Sequence, residues 1–258
     1  MTEWYRADLH VHTVLSPCAE LEMGPRALIE RSSQLGISIL GITDHNAASN
    51  LPALQEVGRQ ADIFVLPGME LQSREEVHLL CFFPGLNTVQ SFEQEFASTL
   101  PDLENREEIF GDQVVVDSRE QILDYDHRLL IASSDWGVEE VVERVRFHGG
   151  GVIPAHIDRS SYSILSNLGF IPPGSEFMAL EIANYQHQER LCQQYTGLDD
   201  YSFITSSDAH HLDELETDWV TYLYLQERNW EEIRLALNEE AGRRVVVLPE
   251  GERPCNNS

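Results

Sequence analysis

Residues 8–13 read Asp-Leu-His-Val-His-Thr, an alternating stretch with two imidazoles, His10 and His12, two positions apart. Successive strand side chains point to opposite faces, so this spacing sets both rings on one face with Cα atoms about 6.6 Å apart. Two rings on one face can grip one ion, yet such a pair is more often a hydrogen-bonded structural feature. What decides the matter is recurrence. Working outward from the strand at 5–11, further apolar, strand-like runs lie at 37–43, 63–71, 77–83, 151–156, 179–182, 203–206, 222–225 and 244–248. Several end in the same chemistry: GITDH at 41–45, PGME at 67–70, PAHIDR at 154–159 and SSDAHH at 206–211, with His78 at the start of a hairpin strand.

Amphipathic helical patterns alternate with these runs at 25–35, 51–61, 138–148 and 230–239, the first carrying Pro25 at an acceptable first-turn position. Strand and helix in alternation predict a mainly parallel α/β protein built as a single domain over 1–248. About 250 residues is the usual size of a barrel of this kind, in which the strands' C-terminal ends converge on one mouth. Residues 88–134 break the rhythm; their acidity and the pattern at 92–103 predict an inserted helical segment. The polar stretch 249–258 reads as a flexible tail.

Composition removes several chemistries. The 258 residues are 42% hydrophobic and contain no apolar run near the roughly 20 residues that span a bilayer, which predicts a soluble protein without a membrane partner. All 17 basic residues are arginine. Without lysine there is no Walker-type phosphate loop, no Schiff base and no carboxylated lysine to bridge metals for C–N hydrolysis. Forty-four acidic residues give a formal charge of −27, which opposes tight binding of long nucleic acid. Cys18, Cys81, Cys192 and Cys255 form no CxxC pair, and the N-terminus lacks signal-peptide character, so a reduced, cytoplasmic protein is expected.

Taken together and in this order, DLHVHT, GITDH, PGME, PAHIDR and SSDAH resemble the motifs of the polymerase and histidinol phosphatase (PHP) superfamily, from Asp8 to His210. The resemblance implies a distorted, TIM-like (β/α)7 barrel with two or three divalent ions, zinc, manganese or iron, and hydrolysis of phosphoric esters by a metal-activated water. It implies one ion on His10, His12, Glu70 and Asp208, and a second on Glu70, His78 and His156. A third would lie between His45, His210 and an acid in the loop after the first strand. There the chain departs from the common pattern, reading SPCAELEM at 16–23; Glu20 is the favoured position, with Glu22 and Cys18 as competitors. Asp8 and Asp44 suit the task of accepting a ligand's free ring N–H.

Arg159, three residues beyond His156, is the candidate to hold a phosphate oxygen, the bland alternative being a surface pair with Asp158. Asp158 or a metal-held water would protonate the leaving oxygen. His127, His148, His187 and His211 read as surface residues. The leading expectation is a phosphoesterase acting on a small phosphorylated substrate, such as histidinol phosphate, a nucleotide or a sugar phosphate, with the pocket built by 160–174 and the insertion. The alternatives are a 5′–3′ exonuclease or phosphodiesterase on short nucleic acids and a non-catalytic, metal-stabilised module.

Overall fold

A computed structural model describes residues 1–254. The chain runs β1 (Glu3–Val11), α1 (Pro25–Gln34), β2 (Ile39–Ile42), α2 (Leu51–Gln60), β3 (Phe64–Gln72), β4 (His78–Phe82), α3 (Leu86–Phe96), α4 (Glu107–Phe110), β5 (Val114–Val116), β6 (Ile122–Tyr125), α5 (Val138–Phe147), β7 (Gly151–Pro154), α6 (Ile164–Asn167), β8 (Leu180–Glu181), α7 (Gln188–Gln194), β9 (Phe203–Ile204), β10 (Trp219–Leu225), α8 (Trp230–Leu237) and β11 (Arg244–Pro249). None of these helices is long and apolar enough to cross a membrane.

Seven strands form one curled sheet in the order β11-β10-β1-β2-β3-β4-β7. Only its centre is parallel: β1, β2 and β3 run together, linked by the crossover helices α1 and α2. The expected distorted, TIM-like (β/α)7 barrel is met in part: the α/β domain curls its sheet into a half-barrel, but the sheet is mixed rather than mainly parallel. The reason is local. A five-residue connection, 73–77, joins β3 to β4, and so short a link permits only an antiparallel hairpin. β7 is antiparallel to β4, and β10 and β11 form an antiparallel extension beyond β1. Two-residue strands β8 and β9 pair in parallel as a separate ribbon. Single backbone bonds tie that ribbon to the sheet, Met178 N–H to Val152 C=O (3.0 Å) and Asp208 N–H to His10 C=O (2.9 Å), without a continuous ladder.

Two hydrophobic cores support the sheet. One joins buried residues of α1, α2, α3 and α5, including Leu28, Leu54, Phe92 and Val141, to strand residues such as Leu40 and Met69. The other packs Ile233 and Leu237 of α8 against Leu9, Leu66, Ile153 and Ile204.

The insertion differs from the helical pattern expected at 92–103. α3 starts earlier and ends at Phe96, where Val89, Phe92 and Phe96 have been buried against the core; a 3-10 turn (Ala97–Thr99) and Pro101 follow. The β-branched run Val114–Val116 then pairs with Ile122–Tyr125 as a hairpin. The expected tail is also partly built in: Pro249 ends β11, Glu250 pairs with Arg6 at 2.9 Å, and the Tyr222 hydroxyl donates to the Glu252 carbonyl. Residues 255–258, with Cys255, lie outside the described residues.

Candidate metal centre

The sheet delivers its polar side chains to one end. β1 and the residue just past its end project His10 and His12 inward, both fully buried. β2 leads into Asp44 and His45, and a backbone bridge sets His45 beside Glu70 on β3. The β3–β4 register places His78 opposite Gln72, two residues along the strand from Glu70, and from there its ring reaches the Glu70 carboxylate. β7 feeds His156, and the segment after β9 supplies Asp208 and His210, anchored by the Val11–Ala209 bridge. Residues as far apart in sequence as His10 and His210 thus become neighbours.

Glu70 is the hub. Its Oε1 lies 2.8 Å from His78 Nδ1, 3.2 Å from His10 Nε2 and 3.5 Å from His156 Nε2; its Oε2 lies 2.9 Å from His45 Nδ1 and 3.5 Å from His12 Nε2. Asp208 Oδ1 is 3.1 Å from His10 Nε2 and 3.2 Å from His12 Nε2, and those two ring nitrogens are 3.2 Å apart. Despite this crowding, both oxygens of Glu70 lack a partner with hydrogen-bond geometry, although the residue is only 1% exposed. A buried carboxylate that closes no hydrogen bond is costly, and ring nitrogens gathered close around it are what cation coordination requires. Among the described residues three donor sets qualify: His10, His12 and Asp208; His45, Glu70 and His78; and His12, His45 and His210, each with ligand atoms within 4.8 Å of one another.

The electrostatics reflect the crowding. Burial pushes Glu70 and Asp208 up, but the surrounding imidazoles overcome it and hold both carboxyls well below their usual range. Burial depresses His10, and Asp208, Glu181 and Glu70 reverse that; in His12, burial reinforced by His210 and His45 prevails and keeps the ring neutral.

An outer layer fixes the rings. Glu181, whose role the sequence reading missed, accepts from His10 Nδ1 at 3.0 Å and from the His156 backbone N–H at 2.9 Å. Asp44 acts at one remove: its Oδ1 accepts from the Ser16 hydroxyl (2.7 Å), which stands 2.9 Å from His12 Nδ1, while Thr13 donates from both backbone and side chain. Asp8 accepts from the backbones of His10 and Ser207, and burial still pushes its carboxyl up to about 6. His156 and Asp208 sit at φ 31° and 53°, a region costly for side-chain-bearing residues.

Three sequence expectations need correction. Glu20 does not enter the cluster: its backbone N–H donates to the His210 carbonyl, and its carboxylate, 54% exposed, turns outward to His211 at 3.0 Å. Glu22 is exposed on the same loop. Cys18 is exposed on the same loop; desolvation raises its thiol, but the neighbouring His210 and His45 outweigh that and hold it at about 6. Asp158 is committed elsewhere, accepting from Ala183 N–H (2.7 Å), Asn184 N–H (3.0 Å) and His187 Nδ1 (2.8 Å), so it fastens the turn after β8 rather than standing free to donate a proton. Arg159 is not paired with Asp158; its Nη1 reaches Asp208 Oδ2 at 2.5 Å. Beside it opens a cleft of about 630 Å³ bordered by Arg159, Asn184, Ser207, Asp208, His210 and Trp219, after β8 and β9; from 160–174, Tyr162 stacks on the His78 ring.

The pattern of the PHP domain family matches residues 8–241. The chain belongs to the PHP domain family. Among curated proteins it is similar to the uncharacterized protein YqxK of Bacillus subtilis, with 25% identity over 272 residues that cover 93% of this chain and 64% of the relative. Among solved structures, the lesion-specific endonuclease PfuEndoQ of Pyrococcus furiosus superposes with a TM-score of 0.70 at 16% identity, over 94% of this PHP domain and 58% of that chain. A related structure holds Endonuclease Q with a 27-mer duplex bearing an abasic lesion at the active site. A "putative metal-dependent phosphoesterase" of Bifidobacterium adolescentis superposes with a TM-score of 0.54 at 18% identity, covering 79% and 87% of the two chains. This PHP domain thus spans less than two thirds of YqxK and of PfuEndoQ.

Proposed function

We propose that this PHP domain is a metal-dependent phosphoesterase that cleaves a phosphoric ester at the Glu70 cluster, on a small phosphorylated substrate. The observation that carries the proposal is Glu70 itself, buried among five imidazoles with neither oxygen held in hydrogen-bond geometry, with an arginine at the rim. His10, His12, Glu70 and Asp208 would hold one ion, and Glu70, His78 and His156 another. Divalent ions there would acidify water and absorb the charge that develops on phosphoryl oxygens. Asp44, through Ser16, and Glu181 hold the His12 and His10 rings in the orientation that aims their Nε2 atoms inward. Arg159, close against Asp208, presents a guanidinium fork that fits a phosphate oxygen, and no lysine shares that role.

Protein of known metal content, supplied with Mn²⁺ or Zn²⁺, is expected to hydrolyse p-nitrophenyl phosphate. His10→Ala or Asp208→Ala should reduce turnover to background. Arg159→Ala should chiefly raise KM, by about 10–100-fold, the weight of a charged hydrogen bond. Metal-loaded protein that turns over no phosphoester defeats the proposal.

A second reading, cleavage of phosphodiesters in nucleic acid, is favoured by the likeness to PfuEndoQ across 94% of the chain. The charge of −27 opposes it for long duplexes, since 44 acids face 17 arginines, although three divalent ions would offset about +6 locally. Comparing a mononucleotide, a short 5′-phosphorylated oligonucleotide and a duplex with an abasic site separates the two; preference for the duplex would replace the small-substrate reading.

A further inference from the structure

We propose that the groove between the β5–β6 hairpin and the loop before α1 is a docking site for an extended peptide in which apolar and basic residues alternate, added as a third strand along β6. The inference concerns a surface outside the Glu70 cluster and stands whether or not that cluster cleaves phosphoesters.

The groove, of about 430 Å³, has the buried side chains of Val14, Val114 and Val116 among its lining, with Leu21, Ile122 and Tyr125 at its sides. Those three are 69%, 56% and 39% exposed, and Leu123 beside them 65%. Apolar side chains gathered in water mark an interaction site. The hairpin register explains the clustering: Val114 stands opposite Tyr125 and Val116 opposite Ile122, and opposed residues share a face, whereas Asp124, opposite Val115, lies on the other face. Backbone and capping bonds hold the groove in shape. Val114 N–H donates to the Val14 carbonyl at 2.9 Å, Asn50 grips Val114 C=O and Val116 N–H, and Glu120 Oε1 accepts from Arg26 N–H at 3.0 Å, which ties the hairpin turn to the start of α1. β5 is thus bonded to the body of the protein, while β6 is the outer strand of its two-stranded sheet. An open edge offers backbone donors and acceptors to a further strand, and neither proline nor a basic residue interrupts 121–126.

Charge selects the occupant. Glu22, Asp112 and Glu120 border the groove, and among the described residues no arginine lines it. Over 112–126 there are five acids and one arginine. A second copy would set these acids against their own counterparts, in a chain of net charge −27, so the occupant is a basic segment of a different molecule. Strand addition also fixes its pattern: backbone bonds along β6 bring every second side chain over the valine floor, and the side chains between them fall on the face that carries Asp124.

The test titrates the full chain into a short fluorescein-labelled peptide that alternates valine with arginine, followed by fluorescence anisotropy. Saturable binding that weakens as salt rises is expected. Ile122→Ser and Leu21→Ser should each weaken it about tenfold, the loss of one central apolar contact. Phe147→Ser, at a side chain 83% exposed on α5 and outside the groove, should leave it unchanged. Binding should also slow hydrogen exchange at the amides of 122–125, a measurement on the wild type that decides the matter should the serine variants not fold. The proposal is overturned by absence of binding, by unchanged exchange along β6, or by equal binding of a peptide with glutamate in place of arginine or serine in place of valine. A concentration-dependent dimer in sedimentation that Ile122→Ser abolishes also overturns it, because a second copy then fills the groove.

Discussion

Glu181 shows how much one carboxylate can govern from outside a cluster. One oxygen is shared between the His10 ring and the His156 backbone, so it orients one donor and positions the next. It also raises the basicity of His10, which strengthens the nitrogen facing Glu70 and Asp208. Glu181→Gln preserves shape and removes charge; it is expected to weaken metal affinity or activity about 10–100-fold, read by competition with a chelating dye, while the far-ultraviolet spectrum stays unchanged. An unaltered affinity would show that Glu181 only packs. In the sequence it stands alone among apolar neighbours, Ala179, Leu180 and Ile182, and that isolation was the available signal. The histidines and Glu70 were legible because strand ends announce them. Cys18 and Glu20 were not separable, since both lie in a loop whose direction is set by backbone bonds to a residue 190 positions away.

At the level of elements, periodicity located the strands of the sheet to within about three residues, and α1, α2, α5 and α8 closely. It failed in the insertion, where the same apolar residues serve either a helix stripe or a hairpin, and contacts with Trp136 and Asn50 decide. Asn50 does so directly, donating to Val114 C=O and accepting from Val116 N–H. α8 carries a pH-dependent clasp. Glu232, near its start, receives two bonds from Arg243 at 2.7 and 2.9 Å and one from Gln226 N–H, tying the helix to the approach to β11. The Arg243 bonds hold the Glu232 carboxyl below its ordinary value of 4.5 against the opposing effect of desolvation. A lowered carboxylate stabilises above its unfolded pKa and ceases to do so as pH falls through the folded value. Glu232→Gln should therefore melt roughly 2–4 °C lower than wild type at pH 7, with the gap closing as pH falls below the ordinary carboxylate range. A constant gap in thermal scans from pH 7 to 3 would assign the stability to packing.

Across the whole molecule, topology was the least legible property. Alternation of strands and helices predicted parallel neighbours, but direction is set by the length of the connections and by which edge each strand joins, and neither is written in hydrophobic pattern. The convergence of donors survived that difference because an antiparallel hairpin still brings the His78 ring back to the Glu70 carboxylate. Convergence has a thermodynamic counterpart. Ions that bind only the folded chain stabilise it by RT ln(1 + [L]/Kd), about 2.7 kcal/mol at a hundredfold excess over Kd. Chelation is thus expected to lower the melting temperature by several degrees, and zinc to restore it, in differential scanning calorimetry; a melting curve indifferent to chelator would leave the cluster without a resident cation.

The backbone at His156 and Asp208 carries a further consequence. Both adopt left-handed φ, at a cost on the order of 1–3 kcal/mol each that glycine would relieve. A library of this chain screened for heat tolerance alone, with chelator present, would drift toward glycine at these two places, gaining durability while discarding chemistry. Selection for turnover must therefore act continuously on both codons, against the direction in which folding by itself would take them.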